Sequence, residues 1–312
     1  MQKMNQIYIP GDRWVRCDEC GFGYRYSQMR KGVSLGQKGH YICPACFDPR
    51  HPHTDWKHRP RKEGVLVGGN IGTKEGPQTD RVTASYRELY YPFTETTGSV
   101  AHDYSGHGIK GSLTNFPTDD TQWNGSSLLF SRTSNSSGNF VDCKTAFDNV
   151  LKDNWSVSFQ ILPTDGQTAY AEFVFGSYLS ATRQVGGFLG SSTTFDVYYA
   201  PNGTKVYWQS AAAFLSNGAQ SAFTHVVITA TSGESIRVYK NGSIVAADST
   251  NDGDLSDSTM SDYNCSYPLA IGAIGGLNGT HYYPFDGRIK NFQIYNAALS
   301  ASQVSTLYSE ES

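Results

Sequence analysis

Four cysteines stand in two like-spaced pairs near the start of the chain, Cys17-x2-Cys20 and Cys43-x2-Cys46, with 22 residues between the pairs. A C-x2-C step forms a tight knuckle that presents two thiolates to one ion, and two knuckles complete the tetrahedron that a structural zinc requires. Four thiolates leave no open position for water, so the chemistry expected is structural rather than catalytic. Gly21 can take the positive φ that closes the first knuckle. His40, His51, His53 and His58 could each replace a ligand, but the paired cysteines make that unnecessary, and they read as surface residues. Cys143 and Cys265 are isolated. The opening MQKMNQIYIPGDRW has no apolar run of the signal-peptide kind. No stretch approaches the roughly 18–20 apolar residues of a membrane span. The expectation is a protein made in a reducing cytoplasm, with no membrane partner, where such cysteines hold metal rather than disulfides.

Glycoside hydrolysis would need two carboxylates close together on one surface. After residue 96 the glutamates are only Glu172, Glu234, Glu310 and Glu311. Glu172 sits in AEFVF with no carboxylate two positions on, and no G-x-S-x-G elbow occurs. The expectation is that the protein is not an enzyme. Aromatics are plentiful where loops and strand ends fall: Tyr198, Tyr199, Trp208, Tyr263, Tyr267, Tyr282 and Tyr283. Tyr and Trp can stack on sugar faces while Asn and Asp accept hydroxyl hydrogen bonds, although any one of these rings could instead fill a core.

The elements that must position these groups divide the chain in three. Residues 1–60 hold the cysteine pairs. Residues 61–80, RKEGVLVGGNIGTKEGPQTD, have the Gly-rich, charged composition of a linker. From 81 to 312 the chain reads as β throughout. Charge divides similarly: residues 1–80 carry 13 Lys/Arg against 8 Asp/Glu, and residues 81–312 carry 12 against 20. A basic head on an acidic body suggests different partners for the two parts. Strands are expected at 128–132, 155–162, 171–175, 187–189, 194–199, 205–209, 224–231, 235–240, 243–248, 269–274 and 287–295. Trp155, Val157, Phe159 and Ile161 alternate onto one face, as do Ile236 and Val238. Asn241-Gly242 suits a type I′ hairpin turn. One helix is expected, over 300–308, capped by Ser300 and turning Val304, Leu307 and Tyr308 to a sheet. The segment 248–262 reads as an acidic solvated loop. Many short strands with such turns make an all-β sandwich or barrel.

Two resemblances refine this. The run WVRCDECGFGYRYSQMRK followed by GHYICPACFDPRHPHTDW resembles a small cysteine-rich segment of tailed-bacteriophage structural proteins. Cys17, Asp18, Cys20, Gly21, Phe22, Ser27, Arg30, Lys31, Cys43, Cys46, Phe47, Asp48, Pro49, Arg50, His51 and Pro52 carry it. A departure is GVSLGQKGH between Lys31 and Tyr41, where the pattern has a Trp. The second part resembles the concanavalin A-like, laminin-G-like jelly-roll domains. Gly98, Asp103, Ser105, Gly106 and Gly111 match at its start. Phe285, Gly287, Ile289, Ile294, Tyr295, Asn296, Leu299, Ser300 and Leu307 match at its end. Many such domains carry an Asp-Glu pair in the last strand, where this chain has Lys290 and Asn291. A calcium site, if transferred at all, would fall on Asp103 with loop carbonyls and on Asp286; the alternative is that Asp103 only braces its turn.

Together these imply a phage virion protein, a capsid decoration or a head or neck fibre, made in the host cytoplasm and residing in the virion. The zinc module would dock on other virion proteins, the major capsid or neck proteins, and the lectin-like sandwich would meet host-surface glycans. The alternatives are a free carbohydrate- or protein-binding module, or a zinc-ribbon nucleic-acid-binding protein. For the last, Trp14, Tyr24 and Tyr26 would have to stack on bases rather than cover a small core.

Overall fold

The computed structural model describes residues 13–17, 22–34, 37–44, 86–165, 170–180, 183–190, 193–201, 205–256, 260, 263, 265–275 and 281–311. The chain divides into two compact units, Met1–Lys74 and Glu75–Ser312. The linker expected at 61–80 lies outside the described residues.

The first unit contains two antiparallel hairpins. Strand β1 (Trp14–Arg16) pairs with β2 (Gly23–Arg25), a 3-10 turn follows at Tyr26–Gln28, and β3 (Arg30–Ser34) pairs with β4 (Gln37–Ile42). Trp14 lies opposite Arg25, whose guanidinium carbon sits 4.9 Å from the indole centroid. Trp14 is 62% exposed and Phe22 69%. Among the described residues, Trp14 is therefore a surface ring against Arg25, and Tyr26, 39% exposed, lies between Arg13 and Tyr41.

The second unit is a two-sheet sandwich. One sheet runs β19 (Ser243–Ile244), β18 (Arg237–Lys240), β17 (Thr224–Thr231), β12 (Asn154–Pro163), β24 (Gly287–Tyr295) and β5 (Arg87–Tyr91), with β8 (Leu128–Phe130) also on β24. The other runs β20 (Ala247–Asp252), β16 (Val206–Ser210), β15 (Phe195–Ala200), β14 (Arg183–Leu189), β13 (Glu172–Ser180), β21 (Ala270–Ile271), β11 (Phe140–Asp142), β7 (Gly111–Thr114) and β6 (Val100–Ala101). Strands β22 (Ile274–Gly275) and β23 (His281–Tyr282) attach beside β13, and β9 (Arg132–Ser134) pairs with β10 (Ser137–Gly138). The alternation in β12 decides its orientation. Trp155, Val157, Phe159 and Ile161 are fully buried between the sheets and meet Val185, Phe175, Phe195 and Phe292 in one core. Burying side chains of this size stabilises by about 1.5–3 kcal/mol each, so the strand cannot be flipped without losing most of that core. The hairpin at β18–β19 turns through Asn241 at φ 49° and Gly242 at φ 76°, the two positive values that a type I′ turn requires.

The opposite face of β12 is polar, and one helix covers it. Ser156 donates its hydroxyl to Ala297 O and accepts Leu299 N–H. Helix α1 (Ala301–Glu311) begins at Ser300, whose Oγ accepts Gln303 N–H while the Gln303 side chain accepts Ser300 N–H. That reciprocal cap satisfies two donors the helix end would otherwise leave open. Val304 and Leu307 then bury against Val227, Tyr239 and Tyr295.

Candidate functional site

The outer face of the larger sheet, turned away from the core, carries the concentrated chemistry. Alternation in β15 sends Phe195, Val197 and Tyr199 inward and Asp196 and Tyr198 outward. In β16 the same parity buries Val206 and Trp208 and turns Tyr207 and Gln209 out. Strand β14 adds Gln184 and Phe188, with Val185 and Leu189 in the core. An irregularity in β13 between Phe173 and Phe175 lets Val174 and Phe175 both enter the core while Phe173 faces out. Such a bulge inserts one residue, bends the strand locally and shifts its side-chain parity.

The outward rings pack on one another. Phe173 stacks on Phe188 at 4.5 Å between centroids, Phe188 meets Tyr198 at 4.6 Å, and Tyr198 meets Tyr207 at 5.0 Å. Tyr283, from the approach to β24, closes on Phe173 at 6.1 Å. Phe173, Phe188, Tyr198 and Tyr283, together with Tyr178, Ile274 and Tyr282, line an open groove of about 510 Å³. That volume lies within the range of pockets that hold small ligands. Gly186 makes the floor possible: a Cβ there would come 2.8 Å from the Phe173 ring.

Polar groups next to Tyr198 on β15 and β16, outside the groove lining, are held in place. Gln209 donates to Asp196 Oδ1 at 3.1 Å and to Tyr207 Oη at 2.8 Å. Burial raises the Asp196 carboxyl above its ordinary range, opposed by hydrogen bonds from Gln209, Tyr207 and Thr194. Lys205 Nζ lies 3.5 Å from the Tyr198 ring centroid, and partial burial lowers its pKa. Burial likewise raises the Tyr198 and Tyr207 phenols, so both rings present neutral hydroxyls at ordinary pH.

The aromatic residues singled out in the sequence fall into two groups. Tyr198, Tyr282 and Tyr283 line the groove. Tyr199, Trp208 and Tyr263 are core residues, and Tyr267 packs against that core, so they are not available to a ligand. Phe173, Phe188, Tyr178 and Gln184 line the groove without having been singled out. The signal for Phe188 and Tyr198 was strand parity, and none existed for Phe173, which depends on the bulge.

The two residues expected to share calcium are not brought together. Asp103 sits beside β5, accepting Tyr90 N–H at 3.0 Å and Ser105 N–H at 2.8 Å on Oδ1, and Ser105 O–H at 2.8 Å and Ile109 N–H at 3.1 Å on Oδ2. Desolvation opposes ionisation there, but the donors outweigh it and hold the carboxyl below its usual range. These four bonds occupy the acceptor sites of a carboxylate, which is how a residue braces a turn. Asp286 lies before β24, at the end opposite the Tyr90–Gln293 pairing, and its N–H reaches Glu172 Oε2 at 3.3 Å. Glu172 is buried beside Arg132, 3.1 Å away, and burial pushes its carboxyl up to about 7 against the pull of the guanidinium. The acidic segment at 248–262 is part strand: β20 extends to Asp252, and Asp248, Asp252 and Asp254 each accept a backbone N–H two residues on.

Of the cysteine set, Cys17 and Cys43 are buried, and Cys43 N–H donates to Cys17 Sγ at 3.3 Å. Cys17 N–H donates to Phe22 O at 2.9 Å. Cys20 and Cys46 lie outside the described residues, among which no cluster of three or more His, Cys, Asp or Glu is arranged to hold an ion.

Beneath α1 a serine, a histidine and a glutamate also meet. Ser158 Oγ lies 3.0 Å from His225 Nε2, and Glu311 Oε2 lies 3.8 Å from that same nitrogen. A catalytic triad needs the acid on the other ring nitrogen and the hydroxyl open to substrate. Ser158 and His225 are sealed under the helix, so this cluster fastens α1 to the sheet.

Comparison with known proteins agrees with this architecture. Solved structures with the same fold include the binding domain of botulinum neurotoxin DC in complex with rat synaptotagmin II, at TM-score 0.51 and 12% identity. Another is the binding domain of Paraclostridial Mosquitocidal Protein 1, also at TM-score 0.51 and 12% identity. Each alignment covers 73% of this chain and 52% of the other, so the chain spans about half the length of those structures. No curated protein matches the sequence. A laminin-G family model, described as the concanavalin A-like lectin/glucanases superfamily, matches residues 133–305, more than half of the chain. The chain therefore belongs to the concanavalin A-like lectin/glucanases superfamily.

Proposed function

We propose that this protein is a non-catalytic binding protein whose sandwich takes carbohydrate in the aromatic groove of the larger sheet, and that it serves as a structural component of a phage virion. The observation that carries the carbohydrate reading is the aromatic groove itself: the buried Phe173–Phe188 stack forms its base, and the more exposed rings of Tyr198, Tyr282 and Tyr283 line it beside the Gln184 amide. Apolar ring faces beside neutral donors and acceptors match the alternating CH and OH surfaces of a sugar. The groove lining contains no carboxylate, so it lacks the pair that glycoside hydrolysis needs. The toxin binding domains with the same fold support a recognition role in kind.

The virion reading rests on the phage-like cysteine segment. Cys17, Cys20, Cys43 and Cys46 would hold one zinc ion. Support comes from the burial of Cys17 and Cys43 and from the N–H···S bond between them, since backbone donors commonly stabilise bound thiolates. Zinc would supply the folding energy that a unit with so little apolar core lacks. The exposed Trp14, Phe22 and Tyr26, with Arg13 and Arg25 against two of the rings, suit a protein contact, because aromatics and arginine dominate interface hot spots. The partner would be a major capsid or neck protein. The same rings and charges favour one second reading, single-stranded nucleic acid, which salt-dependent binding would reveal.

Two experiments test the proposal. Quantitative mass spectrometry of purified particles should find the chain at a fixed ratio to the major capsid protein. A glycan array probed with the full-length protein should give binding that Tyr198→Ala removes. Absence from particles, or array binding unchanged by Tyr198→Ala, would count against the corresponding half.

A further inference from the structure

Tyr282 lines two neighbouring depressions. On one side it closes the aromatic groove. On the other it borders a second, smaller cavity of about 210 Å³, formed with Asn115, Ser136, Gly138, Phe140 and His281. By itself that volume is below the range of independent ligand pockets, and as an extension of the first it is not. The geometry points to a two-subsite groove for a neutral oligosaccharide of at least two units, with Tyr282 as the contact common to both. This rests on the carbohydrate reading above and extends it to the length and charge of the ligand.

The subsites differ in chemistry. The first is a floor of stacked rings. The second is edged with polar groups on a rigid wall. His281 stacks on Phe140 at 3.5 Å and 17°, which fixes the imidazole plane. Gly138 lets Pro284 close the base, since a Cβ there would lie 2.5 Å from the proline ring. Asn115 is held at φ 61° and donates Nδ2–H to Gly138 O at 3.2 Å. Its Oδ1 and second amide hydrogen, and the Ser136 hydroxyl, have no partner among the described residues. A side chain fixed by one hydrogen bond and open at the others is pre-organised to accept and donate to adjacent hydroxyls. Among the described residues, the lining of the two depressions holds no carboxylate and, apart from the imidazole of His281, no titratable nitrogen; Lys205 is held against the Tyr198 ring without itself lining the groove, so the lining offers a charged sugar no ionic partner. The 42% exposure of Tyr282, between the two, leaves its ring reachable from both sides.

The test is calorimetry of the full-length protein with neutral glucose-, galactose-, mannose- and N-acetylglucosamine-based saccharides of one to four units. For the series that binds, two or three added hydrogen bonds should raise affinity about tenfold or more from one unit to three. Asn115→Gly, which keeps the positive φ available, combined with Ser136→Ala, should cancel that gain and leave single-unit binding unchanged. Tyr282→Ala should weaken every length, and thermal melting should match the wild type for each variant. Equal affinity at all lengths, or equal loss at all lengths in the Asn115→Gly/Ser136→Ala protein, would overturn the two-subsite inference while leaving the groove reading intact. Binding confined to sialylated or sulfated sugars would overturn the neutral ligand. Failure of all saccharides would overturn both readings together.

Discussion

Gly186 lies under the ring of Phe173, so close that a single added methyl would stand 2.8 Å from it. The bulge in β13 turns that ring out of the core, and the missing side chain at Gly186 lets it settle flat on β14 against Phe188. Gly186→Ala should therefore displace Phe173 and break the platform. The expected cost is about 1–3 kcal/mol of stability, the usual price of overpacking. Urea denaturation would show the loss, and saccharide binding should fall with it. A variant as stable as wild type with unchanged binding would mean that the ring is not held by this contact.

Metal content is a second expectation. The purified full-length protein should carry about one zinc per chain. Cys43→Ser should release it and melt the first unit, leaving the near-ultraviolet circular dichroism of the sandwich in place. Inductively coupled plasma mass spectrometry gives the count. A metal-free wild-type protein whose first unit is folded would dismiss the zinc reading.

His225 should make the sandwich acid-sensitive. Burial lowers its pKa to about 4, while an unfolded histidine titrates near 6.5. Between those values the unfolded chain binds a proton that the folded one does not, so stability falls as pH drops through that window. The full effect is about 3 kcal/mol at one pKa unit per 1.36 kcal/mol. Burial raises Glu311 above its usual range, which works in the opposite direction as pH falls. Comparing His225→Gln with wild type in urea at several pH values isolates the histidine: the difference should shift in favour of the variant from pH 7 to pH 4. A difference independent of pH would show that His225 does not titrate in this window.

Helix α1 should matter for stability but not for the ligand. Leu307→Ala empties a buried position between α1 and the smaller sheet and should cost about 2–5 kcal/mol. Because α1 covers the smaller sheet and the groove lies on the larger one, saccharide affinity below the melting point should be unchanged. Loss of affinity in the folded variant would mean the two faces are coupled.

Most of the sandwich was legible because its strongest signals are local. Strands β17 and β24 span 224–231 and 287–295 as expected, since β17 has a β-branched apolar centre and β24 interleaves Ile289, Phe292 and Ile294 with polar residues. The Ser300 cap and the Asn241-Gly242 turn follow from backbone chemistry alone. Strand β13 was expected to stop at Phe175 but continues to Ser180, because Gly176 and Ser177 break the apolar pattern while the ladder to β14 carries on. The groove was only half legible. Tyr198 and Tyr199 are neighbours of one type, and only the register of β15 decides that one meets solvent and the other the core. Phe173 and Phe188 look like main-core residues in sequence, and their place in a separate buried cluster on the outer sheet face depends on a bulge and on strand register.

The central claim is that the stacked rings of the larger sheet are the sugar platform. The most direct measurement is a crystal structure of the protein soaked with the saccharide that binds best. The account predicts a sugar ring lying over Tyr198, within van der Waals distance of Tyr283, and its next unit beyond Tyr282. A saccharide seated on the smaller sheet, on the first unit, or at loops away from these rings would contradict it.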